Sequence, residues 1–120
     1  MAENYISIQD EKGSINISDE VVSVMVAAAV SEVEGVAGLA NTVGAELADM
    51  LGKKSIAKGV KVQFEEDRII IDVLIMVRFG CSITNVAEKV QEAVYAAVES
   101  MTGFASTVNV HIAGVAFNKQ

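Results

Sequence analysis

The sequence has no proline, no tryptophan, one cysteine and one histidine in 120 residues. A single cysteine excludes an intrachain disulfide framework and a cysteine-built zinc site, and it fits a reducing compartment. A single histidine excludes the helical histidine pair of metalloproteases and the usual histidine-rich metal sites. Basic residues are also scarce. Nine Lys and Arg stand against 16 Asp and Glu, for a net charge of −7. Nucleic-acid binders must neutralise phosphates, so this balance points away from nucleic acid.

Long apolar runs are missing too. The longest, Val21 to Val30, is interrupted by Ser23, and Ile69 to Val77 carries Asp72. A bilayer span needs about 20 predominantly apolar residues. No direct membrane insertion is expected, and Met1-Ala-Glu-Asn-Tyr lacks the basic and apolar regions of a secretory leader. A cytoplasmic chain is expected. What the sequence does have is apolar mass: 52% hydrophobic residues and a mean hydropathy of +0.42. A domain this small has much surface for its volume, so part of that mass is expected to stay outside the core and meet another protein.

Residues 1–12 are polar and mixed and read as a flexible arm with a short strand at Tyr5 to Ile8. The main domain is expected over 13–117. Gly13 to Ile17 alternates as a strand, and Ser18 offers an N-cap followed by Asp19 and Glu20. Asp19 to Glu34 reads as a helix apolar nearly all round and therefore buried on several sides, with Gly35 as its left-handed cap. Residues 37–58 read as an insertion with a short helix (Leu39, Val43, Leu47, Met50, Leu51), closed by a lysine stretch: Lys53, Lys54, Lys58 and Lys61.

Val60 to Phe64 and Arg68 to Val77 then form a hairpin across Glu65-Glu66-Asp67. The second strand is apolar on both faces, since Ile70, Leu74 and Met76 lie opposite the Ile69–Val77 row; such a strand is central or covered. A last helix runs from Ser82 or Thr84 to Thr102, with Ile83, Val86, Val90, Val94, Ala97 and Met101 as its core stripe and Gly103 as its cap. A strand over Thr107 to Ile112 ends the domain. The two helices match when superposed on Gly35 and Gly103, and each precedes a valine-alternating strand. The sum is an α+β, single-domain two-layer sandwich, βαββαβ (split βαβ, ferredoxin-like), with two long helices on one face of an antiparallel sheet.

Chemistry is hard to find. Cys81 stands where a strand ends and a helix begins, a position at which a thiol can be reactive, but no base is near it in sequence. His111 falls on the Asn109/Ala113 side of its strand. Glu65, Glu66 and Asp67 share a hairpin tip too short for a calcium loop. Asp72, set among isoleucines, is expected to make an edge or inter-subunit salt bridge, with Arg78 or a lysine as partner. Gly35 and Gly38 follow a helix, whereas a dinucleotide loop needs its glycines between strand and helix. No cofactor, metal or catalytic residue is expected. The candidate interaction surface comprises Ile70, Leu74, Met76, Val24, Lys53 and Lys54.

In order along the chain come Gly13-Ser-Ile-Asn-Ile-Ser-Asp-Glu-Val, Val33-Glu-Gly-Val-Ala-Gly-Leu, Lys58-Gly-Val-Lys-Val and Ile69-Ile-Ile-Asp-Val. Val77-Arg-Phe-Gly, Val86-Ala-Glu-Lys-Val-Gln-Glu-Ala-Val, Met101-Thr-Gly-Phe and Val108-Asn-Val-His-Ile-Ala-Gly-Val follow. This ordered set, over 13–117, resembles the alkaline-shock-protein family of envelope stress-response proteins, which includes the Gls-type proteins of Gram-positive bacteria. The resemblance implies a non-catalytic protein of the cell envelope. It also implies a homo-oligomer and, at the membrane, a small membrane-anchored protein partner that makes the chain peripheral. An alternative is a ligand-sensing regulatory domain that binds a small metabolite between subunits. An enzyme would need Cys81 and His111 to meet in one cleft.

Overall fold

The structure is a computed structural model that describes residues 5–39, 59–66 and 68–117. Among these described residues eight elements follow one another: β1 (Tyr5–Asp10), β2 (Gly13–Ser18), α1 (Asp19–Ser31), β3 (Val36–Leu39), β4 (Val60–Phe64), β5 (Arg68–Arg78), α2 (Ile83–Thr102) and β6 (Ala105–Ala116).

The main sheet is built on β5, whose even residues turn their backbone groups to one side and odd residues to the other. Leu74 N–H donates to Gly59 O at 2.8 Å and Arg78 N–H to Gly35 O at 2.9 Å, while Phe79 N–H donates to Ala116 O at 2.9 Å. β3 and β4 therefore share one edge of β5 end to end, both antiparallel to it, and β6 takes the other edge in parallel. α2 supplies the crossover that a parallel pair requires. β6 carries a bulge at Ala113, since Ile75 pairs with Ile112 but Met76 with Gly114.

The two described helices lie on one face. Val22, Val26 and Val30 of α1 and Val86, Val90, Val94 and Val98 of α2 form one cluster with Ile69, Ile71, Val73, Ile75 and Val77. Each such side chain taken fully out of water contributes about 1.5–3 kcal/mol. Valine disfavours helices only slightly, so burial outweighs propensity in both. Ser18 and Ser82 cap the two helices, their hydroxyls accepting from Val21 N–H and Asn85 N–H.

The α+β class, the two helices on one face and the β4–β5 hairpin are as expected. The first strand is not. Gly13–Ser18 does not enter the main sheet; it pairs with Tyr5–Asp10 in a separate hairpin. Without a strand between them, β5 and β6 lie side by side and parallel, so the sheet is mixed. The hairpin turns on Asp10, whose Oδ1 accepts from Lys12 N–H at 2.8 Å, and on Gly13 at φ +133°. Part of the expected arm, residues 5–10, is thus one strand of that hairpin.

Helix α1 also stops early, at Ser31 rather than Glu34. Tight turn bonds from Glu32 N–H to Ala29 O and Val33 N–H to Val30 O carry the chain out of it, and Gly35 serves the turn into β3 instead of capping the helix. Residues 37–39, read as the start of the insertion, belong to β3. The short helix proposed further along that insertion lies outside the described residues.

On α2 the buried row is Val86, Val90, Val94, Val98 and Thr102. Ile83 and Met101, expected in the core, are exposed, Met101 by 64%. A row in steps of four drifts around the helix, as a ridge does when it crosses its support obliquely. Thr102 is accommodated because its Oγ1 donates to Val98 O at 2.7 Å and accepts from Phe104 N–H at 3.1 Å.

Candidate functional site

The face of the sheet away from the helices carries the even residues of β5, with Thr107, Asn109 and His111 of β6 beside them. Asp72 is the centre of this face. Its Oδ1 accepts from Asn109 Nδ2 at 3.2 Å and lies 3.1 Å from His111 Nε2. Among the described residues of this chain, neither Arg78 nor a lysine pairs with it. Arg78 is exposed at the end of β5, six residues along the strand, whereas Asn109 is Asp72's own neighbour across the parallel ladder.

The six residues of the expected interaction surface fare differently. Ile70 and Met76 are half-buried on the face away from the two described helices. Leu74, between them, is fully buried and is not accessible on this chain. Val24 is 63% exposed on α1, because only one row of that helix meets the sheet. Lys53 and Lys54 lie outside the described residues. Lys61 is half-buried on β4, opposite Asp72.

Cys81 and His111 do not meet. Cys81 is exposed in the turn after β5, where its Sγ lies 3.4 Å from the point a side chain on Gly35 would occupy. His111 neighbours Leu74, and the stretch from Leu74 to Arg78 alone spans about 13 Å. Glu65 is a solvated turn residue that accepts from Gln63 Nε2 at 3.1 Å. Among the described residues, no group of three His, Cys, Asp or Glu converges as metal ligands, and no helix is long and apolar enough to cross a membrane.

Two features escaped the sequence. Phe79 and Phe117 stack with ring centroids 4.8 Å apart and planes inclined by 35°, although they are 68% and 69% exposed. They lie where the ends of β5 and β6 are joined by the Phe79 N–H to Ala116 O bond, so their meeting depends on the parallel register. The second is a hollow of about 260 Å³ between α2 and β6, lined by Gln91, Glu92, Tyr95 and Val108.

Comparison with known proteins supplies the family. The chain is 38% identical over 107 residues to the uncharacterized protein YqhY of Bacillus subtilis, covering 88% of this chain and 79% of that one. It is 34% identical over 113 residues to YloU of the same organism, covering 92% and 94%. Against Spy1535 of Streptococcus pyogenes it is 35% identical over 109 residues, covering 89% and 82%. Among solved structures, a triply substituted MamM CTD superposes with a TM-score of 0.51 at 22% identity, over 80% of this chain and 94% of that one. A singly substituted MamM CTD gives 0.51 at 20% identity, over 80% and 96%. Those likenesses concern the fold. The model of the Asp-23 family, described as having a cell envelope-related function, matches residues 7–117. With that match and the resemblance carried by the ordered motifs, this chain belongs to the alkaline-shock-protein family, whose function is related to the cell envelope.

Proposed function

We propose that this domain is a non-catalytic interaction module of the cell envelope that associates with itself and docks on an envelope-associated protein. The observation that carries the reading is the Phe79–Phe117 pair. Two large rings left mostly in water, stacked on each other and held at the end of a rigid sheet, cost solvation that a bound protein relieves. Val21 and Val24 on α1 add further exposed apolar surface. The separation of Cys81 from His111 supports a role without nucleophilic chemistry.

Sedimentation velocity on the purified chain, together with membrane fractionation of a Gram-positive host expressing it, tests the proposal. The expected result is a species larger than a monomer and a membrane-associated fraction that falls when Phe79→Ser and Phe117→Ser are combined. A strict monomer that binds no hydrophobic dye overturns the reading.

The alternative is a sensor that takes a small metabolite between subunits. It draws on the hollow beside Tyr95, a mostly apolar recess of the kind small ligands occupy. A thermal-shift screen of metabolites decides it, with stabilisation lost in Tyr95→Ala expected if the hollow is the binding site.

A further inference from the structure

Strand β6 is 12 residues long and, among the described residues, pairs only with β5. Its odd residues before the bulge turn their backbone groups to β5. The even ones, Val108, Val110 and Ile112, turn theirs to the open side, where Gln91 Nε2 donates to Val108 O at 3.0 Å. An open edge of this length is a template for another strand, and proteins ordinarily guard it with charge or proline. From Ala105 to Ala116 there is neither Asp, Glu, Lys, Arg nor Pro. Among the described residues two features guard it, the bulge at Ala113 and the Gln91 bond to Val108 O.

We propose that the open edge of β6 pairs antiparallel with β6 of a second copy, making one sheet continuous through both subunits. This deepens the self-association read above and rests on it. A second copy fits for two reasons. A two-fold axis sets each residue against itself or a close neighbour, so a charged strand repels its own image while this neutral one does not. The chain as a whole carries −7, and β6 is a place where two copies approach without opposing formal charges.

The Gln91 bond to Val108 and the bulge at Ala113 limit the free stretch and thereby set the register. Val110 of one copy lies opposite Ile112 of the other, each exchanging N–H and C=O, with His111 facing its own image on the axis. The hollow beside Val108 and Tyr95 lies next to this edge and receives apolar side chains of the incoming strand.

The test has two arms. His111→Cys and Val24→Cys are each made on a Cys81→Ser background and oxidised mildly. On the axis, facing residues of a non-hydrogen-bonded pair have Cα atoms about 4.5 Å apart, within disulfide range. The second arm uses the unaltered chain: amide exchange at Val110 and Ile112 is followed in dilute and concentrated samples. The expected results are a covalent dimer through position 111 but not 24, and exchange at both amides slowed about tenfold or more on concentration.

If sedimentation gives a dimer while both amides exchange freely at every concentration, or position 24 links instead, the edge proposal is overturned and self-association stands. Protection that ignores concentration means the chain covers its own edge, which also overturns it. A monomer throughout removes both readings.

Discussion

The Nε2 atom of His111 and the Oδ1 atom of Asp72, 39 residues apart in the chain, face each other at 3.1 Å across two adjacent strands. They occupy diagonal positions of the β5–β6 ladder, since Asp72 pairs with Asn109 and Leu74 with His111. Asp72 is the shared partner of both β6 side chains, so its carboxylate ties the parallel pair together on the side away from α1 and α2.

Removing that carboxylate leaves two polar side chains without their partner. Asp72→Ala is expected to lower unfolding free energy by about 1–3 kcal/mol in denaturant titration. Asp72→Asn, which keeps an acceptor oxygen, should cost less. In a double-mutant cycle with His111→Ala the two losses should fall short of adding, by about 0.5 kcal/mol or more. Full additivity would mean the contact carries no coupling.

Gly35 and Gly103 both have positive φ, +98° and +82°, yet substitution should separate them. A Cβ on Gly35 would stand 2.6 Å from Val86 Cγ2, a buried core atom, whereas at Gly103 it would meet nothing within 4 Å. Gly103→Ala should cost about 1 kcal/mol, the strain of the left-handed backbone alone. Gly35→Ala adds a clash in a packed core and should cost at least about 2 kcal/mol more. Melting temperatures of the two variants check the order.

These glycines also show what the sequence makes legible. Strand β5 and its hairpin partner could be read directly because Val60 and Val62 alternate, the run from Ile69 to Val77 is short and rich in β-branched residues, and the Glu65-Glu66-Asp67 turn leaves no room for a crossover. The end of α2 was equally plain from Gly103, whose N–H donates to Glu99 O at 2.8 Å. Gly35 looked identical in sequence, but the chain tightens after Ser31, and local pattern does not report such a change.

The placement of Gly13–Ser18 was harder still. Ile6 pairs with Ile17 and Ile8 with Ile15 in the β1–β2 hairpin, and alternation alone does not say which sheet a strand joins. The neighbours of Asp72 and the stacking of Phe79 on Phe117 depend on that choice. Both follow from β5 and β6 being adjacent, so neither could be foreseen from an arrangement with a strand between them.

Along α1 the contrast between faces is sharp. Val26 is fully buried while Val24, two residues away, is exposed, although the sequence is apolar at both. Val26→Ala should cost about 2 kcal/mol through lost contacts and a residual cavity. Val24→Ala should change stability by no more than about 0.5 kcal/mol. Equal costs in chemical denaturation would show that α1 is buried all round, as its composition alone suggests.

Gln91 ties α2 to the open edge of β6 through its bond to Val108 O. Within one subunit this amide satisfies a carbonyl that the sheet leaves unpaired, and Gln91→Ala should cost about 0.5–1.5 kcal/mol. Between subunits it should matter little. With the side chain gone Val108 O is released, but the residue opposite it in the proposed register, Gly114, lies past the bulge and turns its backbone groups to β5, so the paired stretch stays at Val110 to Ile112. Gln91→Ala should therefore weaken the isolated fold slightly while leaving self-association about as tight, measured by sedimentation across a dilution series. If the substitution instead dissociates the protein without lowering its melting temperature, Gln91 itself belongs to the contact between copies, and the register centred on His111 is wrong.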